Sequence, residues 1–147
     1  MAHVLQLTQI QDGPSDVIYS LFLKSDGGSG ELTNYALITP ANLVQGQNRM
    51  PYVPAGPPAG RCFNIQQMWY NFQGFDAVLS FASANPLNAW LMAPSTDSAI
   101  DFRPMGGIPD RTPDSDVPQG TILLSTDNFA AVGSVGSLII KVRKLKP

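Results

Sequence analysis

The chain has 147 residues, of which 14% are charged, and its formal net charge at pH 7 is −2. Ordinary soluble domains contain about 25% charged residues, and nucleic-acid-binding proteins usually show a basic excess. The composition therefore argues against a general nucleic-acid binder. Protein interfaces are poor in charge at their centres. The low charge content is therefore equally compatible with a surface covered by a partner and with a neutral monomer.

A single domain spanning residues 1–147 is predicted from the length and from the lack of a repeat or a break in composition. The 13 glycines and 13 prolines are spread along the chain and favour short strands joined by turns. Cys62 is the only cysteine, which excludes an internal disulfide, and we expect it to be a buried structural thiol. The sequence shows neither a signal-peptide pattern at its start nor an apolar run of about 20 residues, so we expect a soluble protein made in the cytoplasm.

Three strands are predicted before Pro40. Val4 to Ile10 alternates apolar and polar residues, and Val17 to Lys24 shows the clearest period of two in the sequence. A third strand, Thr33 to Thr39, is expected to form a hairpin with the second across a loop of small residues. Asp26 and Glu31 in that loop are too few carboxylates for a calcium cage, which favours a solvated turn.

The segment after Pro40 is rich in proline. One helical turn is expected at residues 41–43, and the four prolines between residues 51 and 58 preclude a central strand and favour extended, polyproline-like chain. Two interpretations remain open, a crossover at one end of the fold and an uncharged arm that lies on a neighbouring subunit. The arm would contact its neighbour through Tyr52, Val53, Pro54, Pro57 and Pro58.

The stretch from Arg61 to Pro94 is predicted to be the centre of the core. It contains seven of the thirteen aromatic residues and both tryptophans, and turns divide it into three consecutive strands that we interpret as a meander. The apolar positions change phase at Gln66 and Gln67, which indicates a bulge or a strand covered on both faces. Trp69 and Trp90 lie in apolar runs and are expected to fill the core.

Further strands are predicted at Ile100–Arg103, Thr121–Ser125 and Gly133–Lys144, giving eight or nine in all. These strands, separated by Gly and Pro turns, predict an all-β fold, a two-sheet, mainly antiparallel sandwich with long Pro/Gly-rich loops. The predicted core comprises Val17, Tyr19, Leu21, Phe63, Ile65, Trp69, Leu79, Phe81, Trp90, Leu124, Ile140 and Val142.

The last strand concentrates basic residues. It and the residues after it contain four of the nine Lys and Arg residues, and Lys141 and Arg143 are expected on one face because they are two apart in a strand. Lys144 and Lys146 are expected to continue the basic surface beyond the strand. Two interpretations are open: an interface with an acidic partner, and a solvated edge that the lysines protect from unwanted strand pairing. The candidate interface residues here are Lys141, Arg143, Lys144 and Lys146.

The sequence predicts no enzyme, no cofactor and no metal site. Its only histidine, His3, is expected at a mobile chain end, which argues against a histidine-based site. Ten of the eleven acidic residues are aspartates, most of them beside Gly, Pro or Ser in turns, where aspartate is common for backbone reasons. No phosphate-binding loop, dinucleotide fingerprint or zinc-ligand spacing occurs.

Several short segments resemble small virion structural proteins of tailed bacteriophages. They are Ser25–Leu32, Asp76–Phe81, Asp101–Phe102–Arg103 and Gly133–Leu138. Within that group the size and the β character are most similar to capsid decoration, or cement, proteins. The resemblance implies a small β-sandwich, often jelly-roll-like, that lies outside the virion capsid shell and joins neighbouring capsomers, with the major capsid protein as partner. Neither nucleic acid nor a membrane is expected as a partner.

Sparse charge and uncovered strand edges favour a homo-oligomer, a dimer or trimer. Two alternatives to the cement function remain. In the first, the chain is a carbohydrate- or receptor-binding module of a tail or fibre, with Trp69 and Trp90 stacking on sugar rings. In the second, it is a head-completion or tail-tube subunit, which differs mainly in the ring that it forms.

Overall fold

The computed structural model describes residues 3–43, 63–83, 86–110, 121–129 and 133–144. These residues form ten strands and two short 3-10 turns, at Pro40–Asn42 and Arg103–Met105, and contain no α-helix. The strands are β1 (Val4–Asp12), β2 (Asp16–Lys24), β3 (Tyr35–Ile38), β4 (Phe63–Gln73), β5 (Asp76–Phe81), β6 (Leu87–Met92), β7 (Ser95–Asp101), β8 (Ile108–Pro109), β9 (Ile122–Asp127) and β10 (Val135–Lys144).

The strands make two antiparallel sheets. The larger sheet has the order β1-β2-β10-β4-β7, and β8 also pairs with β4. The smaller sheet has the order β3-β9-β5-β6. The predicted two-sheet antiparallel sandwich is confirmed, whereas the jelly-roll arrangement stays a prediction.

One hydrophobic core joins the two sheets. It combines alternate residues of β2, β4 and β10 with alternate residues of β5 and β9. Rings of Tyr70, Phe72, Phe75 and Phe129 follow one another at centroid distances of 4.8 to 5.3 Å. Gly136 of β10 leaves room for them, since a Cβ there would come within 2.5 Å of the Phe72 ring.

Predictions about single strands agree with the structure better than predictions about which strands pair. The bulge is confirmed, because Lys141 pairs with Gln67 and Val142 with Ile65, which leaves Gln66 without a partner position on β10. The predicted hairpin between the second and third strands is wrong, because β3 pairs with β9 in the other sheet.

The three strands from residue 61 to residue 94 exist but do not form a meander. β4 belongs to the larger sheet, whereas β5 and β6 form a hairpin in the smaller one. The chain passes between sheets at Gly74, whose φ of 88° lies in the left-handed region that favours glycine. Short loops therefore connect strands across the core as well as within a sheet.

Ten of the twelve predicted core residues are buried. Trp90 is half-buried, and its ring meets that of Phe102 edge-on at 5.0 Å. Trp69 is 40% exposed, so its predicted place in the core is wrong. In the described parts of the chain, no helix has the length and apolar character needed to cross a membrane.

Candidate functional site

The candidate site lies on the outer face of the larger sheet. Successive residues of a strand point to opposite faces, so the burial of every second residue of β10 identifies which side is outer. On that outer side β10 presents Ser137, Ile139, Lys141 and Arg143, while β4 presents Trp69 and its neighbours two residues away. This face remains uncovered by the smaller sheet.

Trp69 and Ile139 are directly opposite each other on β4 and β10. The next outer pair along the same strands is Asn71 and Ser137, and Phe22 of β2 lies opposite Ser137 on the other side. Phe22, Trp69 and Ile139 are 38%, 40% and 36% exposed. Large apolar side chains thus occupy the middle of a face that also carries amide and hydroxyl groups.

A hollow of about 340 Å³ opens beside Trp69. None of the described residues that line it is charged, and three strands contribute to it. They are Trp69, Tyr70 and Asn71 of β4, Ser98 and Ala99 of β7, and Ser137 and Ile139 of β10. The hollow therefore combines a flat aromatic surface with neutral polar groups.

Charge appears at one end of this face. Arg103 binds both carboxylate oxygens of Asp101, at 2.9 and 2.7 Å. The side-chain hydrogen bond from Arg103, helped by its backbone N–H and by the charge of Lys141, lowers the pKa of Asp101 to about 2. Lys141 and Arg143 share the outer face, as predicted, so this end is mixed in sign rather than purely basic.

Lys144 does not belong to that surface. Its side chain is 1% exposed and forms an ion pair with Asp12, whose side chain is 8% exposed. The expectation that Lys144 continues an exposed basic surface is wrong, because β10 extends to Lys144 and its alternation turns that residue inward. Burial, and secondly the charge of Asp12, raises the pKa of Tyr19 beside this pair.

The expectation that His3 lies at a mobile chain end is wrong, because hydrogen bonds join its side chain to the loop after β2. Its side chain is 6% exposed, its Nδ1 accepts the N–H of Asp26 at 3.1 Å, and its Nε2 lies 2.6 Å from the carbonyl oxygen of Gly30. Asp26 in turn accepts the N–H groups of Gly28 and Ser29 at 2.8 Å each. The hydrogen bond from the Ser29 hydroxyl and then those N–H groups hold the pKa of Asp26 well below its usual range.

These contacts make His3 and Asp26 organisers of the loop after β2. Glu31 has a comparable function, since its carboxylate accepts the Thr126 hydroxyl at 3.0 Å and the Phe129 N–H at 2.7 Å. Asp26 and Glu31 thus stabilise loops. Within the described ranges, no group of three or more His, Cys, Asp or Glu residues could hold a metal ion.

The other predicted contact residues lie outside the described residues. They are Tyr52, Val53, Pro54, Pro57, Pro58 and Lys146, and Cys62 also falls there. Sequence reasoning missed Phe22, Asn71, Ser137 and Ile139. Their signal was positional, because each lies out of phase with the buried residues of its strand.

No protein family, curated protein or solved structure was found to match this chain.

Proposed function

We propose that this protein is a capsid decoration protein that binds the outside of a bacteriophage capsid shell and stabilises it by bridging capsomers. A bridging protein needs at least two contact surfaces, on different parts of its fold. The observation that carries the proposal is the exposure of large apolar side chains on both outer faces of the sandwich. Phe22 is 38% exposed on the larger sheet and Leu91 is 60% exposed on the smaller one.

Leu91 lies on the outer side of the smaller sheet. It pairs with Val78, which alternates with the buried residues Ala77 and Leu79 of β5. Single exposed apolar residues are ordinary, but here they occur on opposite faces of a chain with 14% charged residues. Many weak contacts of this kind add up on a particle because each attached copy raises the effective concentration for the next contact.

The basic residues of β10 add an electrostatic component. Lys141 and Arg143 share the outer face, and in this proposal they meet acidic groups of the major capsid protein. The test of that contact is the double substitution Lys141→Ser/Arg143→Ser, which leaves the buried Lys144 untouched. We expect weaker capsid binding by this variant and weaker binding of the wild type at high salt.

The function is tested with capsids that lack the protein. Purified protein should co-sediment with expanded capsids at a saturable, fixed number of copies and raise the temperature at which the particles break. Mass action gives the reason, since a protein that binds only the assembled shell stabilises that state. Decoration by dimers or trimers would appear as symmetric clusters in electron micrographs.

Two exposed-residue variants show which face meets the shell. Leu91→Ser changes the smaller sheet and Phe22→Ser the larger one, and neither removes a fully buried side chain. Reduced occupancy by a variant shows that its face contacts the shell, and a bridging protein is expected to lose occupancy in both variants. Failure of the wild-type protein to bind capsids at any concentration up to its solubility limit would disprove the decoration function.

A further inference from the structure

Trp69 lies at a rigid and central place. It is in the middle of β4, with Ile139 of β10 opposite on one side and Ala99 of β7 opposite on the other. Loops often carry binding aromatics, but here paired strands on both sides fix the backbone. A ligand that packs on this indole therefore meets a preorganised surface and loses little affinity to ordering of the protein.

The chemistry of the hollow selects a neutral, amphipathic ligand. None of the described residues in its lining is charged, and the lining includes the flat indole of Trp69 together with Asn71 and Ser137. A charged ligand would lose its hydration without gaining a counter-charge. A ligand with a flat apolar face and hydrogen-bonding groups around its edge would match both parts of the surface.

A pyranose ring has this distribution of groups. One ring face presents C–H groups that pack on an aromatic face, and the hydroxyls around the rim exchange hydrogen bonds with amides and hydroxyls. The volume of about 340 Å³ is at the lower end of the range of ligand pockets, which suits one or two sugar rings. We infer that the hollow beside Trp69 binds a neutral sugar ring, an activity that goes beyond capsid binding and does not depend on it.

The two tryptophans allow a matched experiment. Trp90 is half-buried and packs edge-on against Phe102, whereas Trp69 is exposed in the hollow. In the full-length variant Trp90→Phe, Trp69 is the only tryptophan that emits. We expect neutral methyl glycosides and short neutral oligosaccharides, chosen from a glycan array, to change this emission saturably.

Substitutions then locate the site. Trp69→Ala should weaken sugar binding at least tenfold, and Trp69→Phe should restore part of it because a phenyl ring still offers an aromatic face. Asn71→Ala and Ser137→Ala should each weaken binding several-fold. Trp90→Phe should bind as the wild type does, and unchanged circular dichroism of every variant shows that the fold is retained.

Three results would overturn the inference. The first is an array without a saturable neutral ligand together with unchanged Trp69 emission in all glycosides tested. The second is unaltered sugar affinity in Trp69→Ala or, if that variant does not fold, in Trp69→Phe combined with Asn71→Ala. The third is loss of capsid binding by Trp69→Ala in a protein that binds no sugar, which makes the hollow an anchor for the capsid protein and leaves the decoration function intact.

Discussion

The two faces of strand β10 share one backbone but differ in how far their side chains are exposed to solvent. Its inner residues, from Leu138 to Lys144, are at most 3% exposed, whereas Ile139 and Arg143 on the other side face solvent. Each of the two lysines belongs to a different face, Lys141 to the outer one and Lys144 to the inner one. The face on which a residue lies, more than its type, therefore determines what its side chain does in this sheet.

The largest difference is expected between the two lysines. Lys144→Ala removes one member of a buried ion pair and leaves Asp12 charged in a site where its side chain is only 8% exposed. Breaking such a pair costs about 3–5 kcal/mol of unfolding free energy. Lys141→Ala, on the outer face, should change it by about 0.5 kcal/mol or less. Urea-induced unfolding of the two variants measures both values.

The double variant Asp12→Leu/Lys144→Met is the control for this explanation. It replaces both charges with apolar groups, and such replacements are often neutral or stabilising by about 1–4 kcal/mol. Recovery of most of the stability lost in Lys144→Ala supports the loss of the counter-charge to Asp12 as the cause. A double variant as unstable as the single one would show that the site needs the ion pair itself.

The second difference is expected between two neighbouring isoleucines. Ile140 is 1% exposed in the core and Ile139 is 36% exposed on the outer face. Ile140→Ala should cost about 2–5 kcal/mol because it removes buried methyl groups and leaves a cavity. Ile139→Ala should cost about 1 kcal/mol or less, mainly through strand propensity. Equal losses from the two substitutions would mean that the outer face is covered in solution.

Local patterns allowed much of the fold to be predicted from the sequence. The period of two in β2 and β10, the turn at Gly74 and the phase change at Gln66 depend on neighbours in the chain, and the structure confirms each of them. The pairing of β3 with β9 and the separation of β4 from β5 join distant segments. Loop residues do not encode which sheet a strand enters, so these pairings could not be predicted.

The errors at Trp69 and Lys144 have a different origin. Met68, Tyr70 and Phe72 define the inner face of β4, which places Trp69 outside, and Lys144 has the same parity as Ile140 and therefore points inward. Expectation from residue type overrode this pattern in both places, since tryptophan is usually buried and lysine usually exposed. A residue whose type does not suit the face on which the strand's alternation places it therefore marks a candidate site or a buried pair.

The smallest effect concerns the exposed ion pair at the end of the outer face. Asp101 and Arg103 have side chains that are 39% and 52% exposed, in contrast to the buried pair of Asp12 and Lys144. Exposed pairs contribute little to stability because water and salt screen them. The pKa of Asp101 nevertheless reports the contact, since the hydrogen bonds from Arg103 lower it to about 2.

The direction of the pH dependence follows from that lowered pKa. The folded protein keeps Asp101 ionised where the unfolded chain already binds a proton, so the contribution of this carboxylate is complete above its unfolded pKa and is lost as pH falls through about 2. Carboxyl chemical shifts in an NMR titration should show a midpoint near 2 for Asp101. Arg103→Gln should raise that midpoint toward the ordinary value of about 3.9, and Lys141→Ser should raise it less. A wild-type midpoint near the ordinary value, unchanged by Arg103→Gln, would mean that the two side chains do not form this pair in solution.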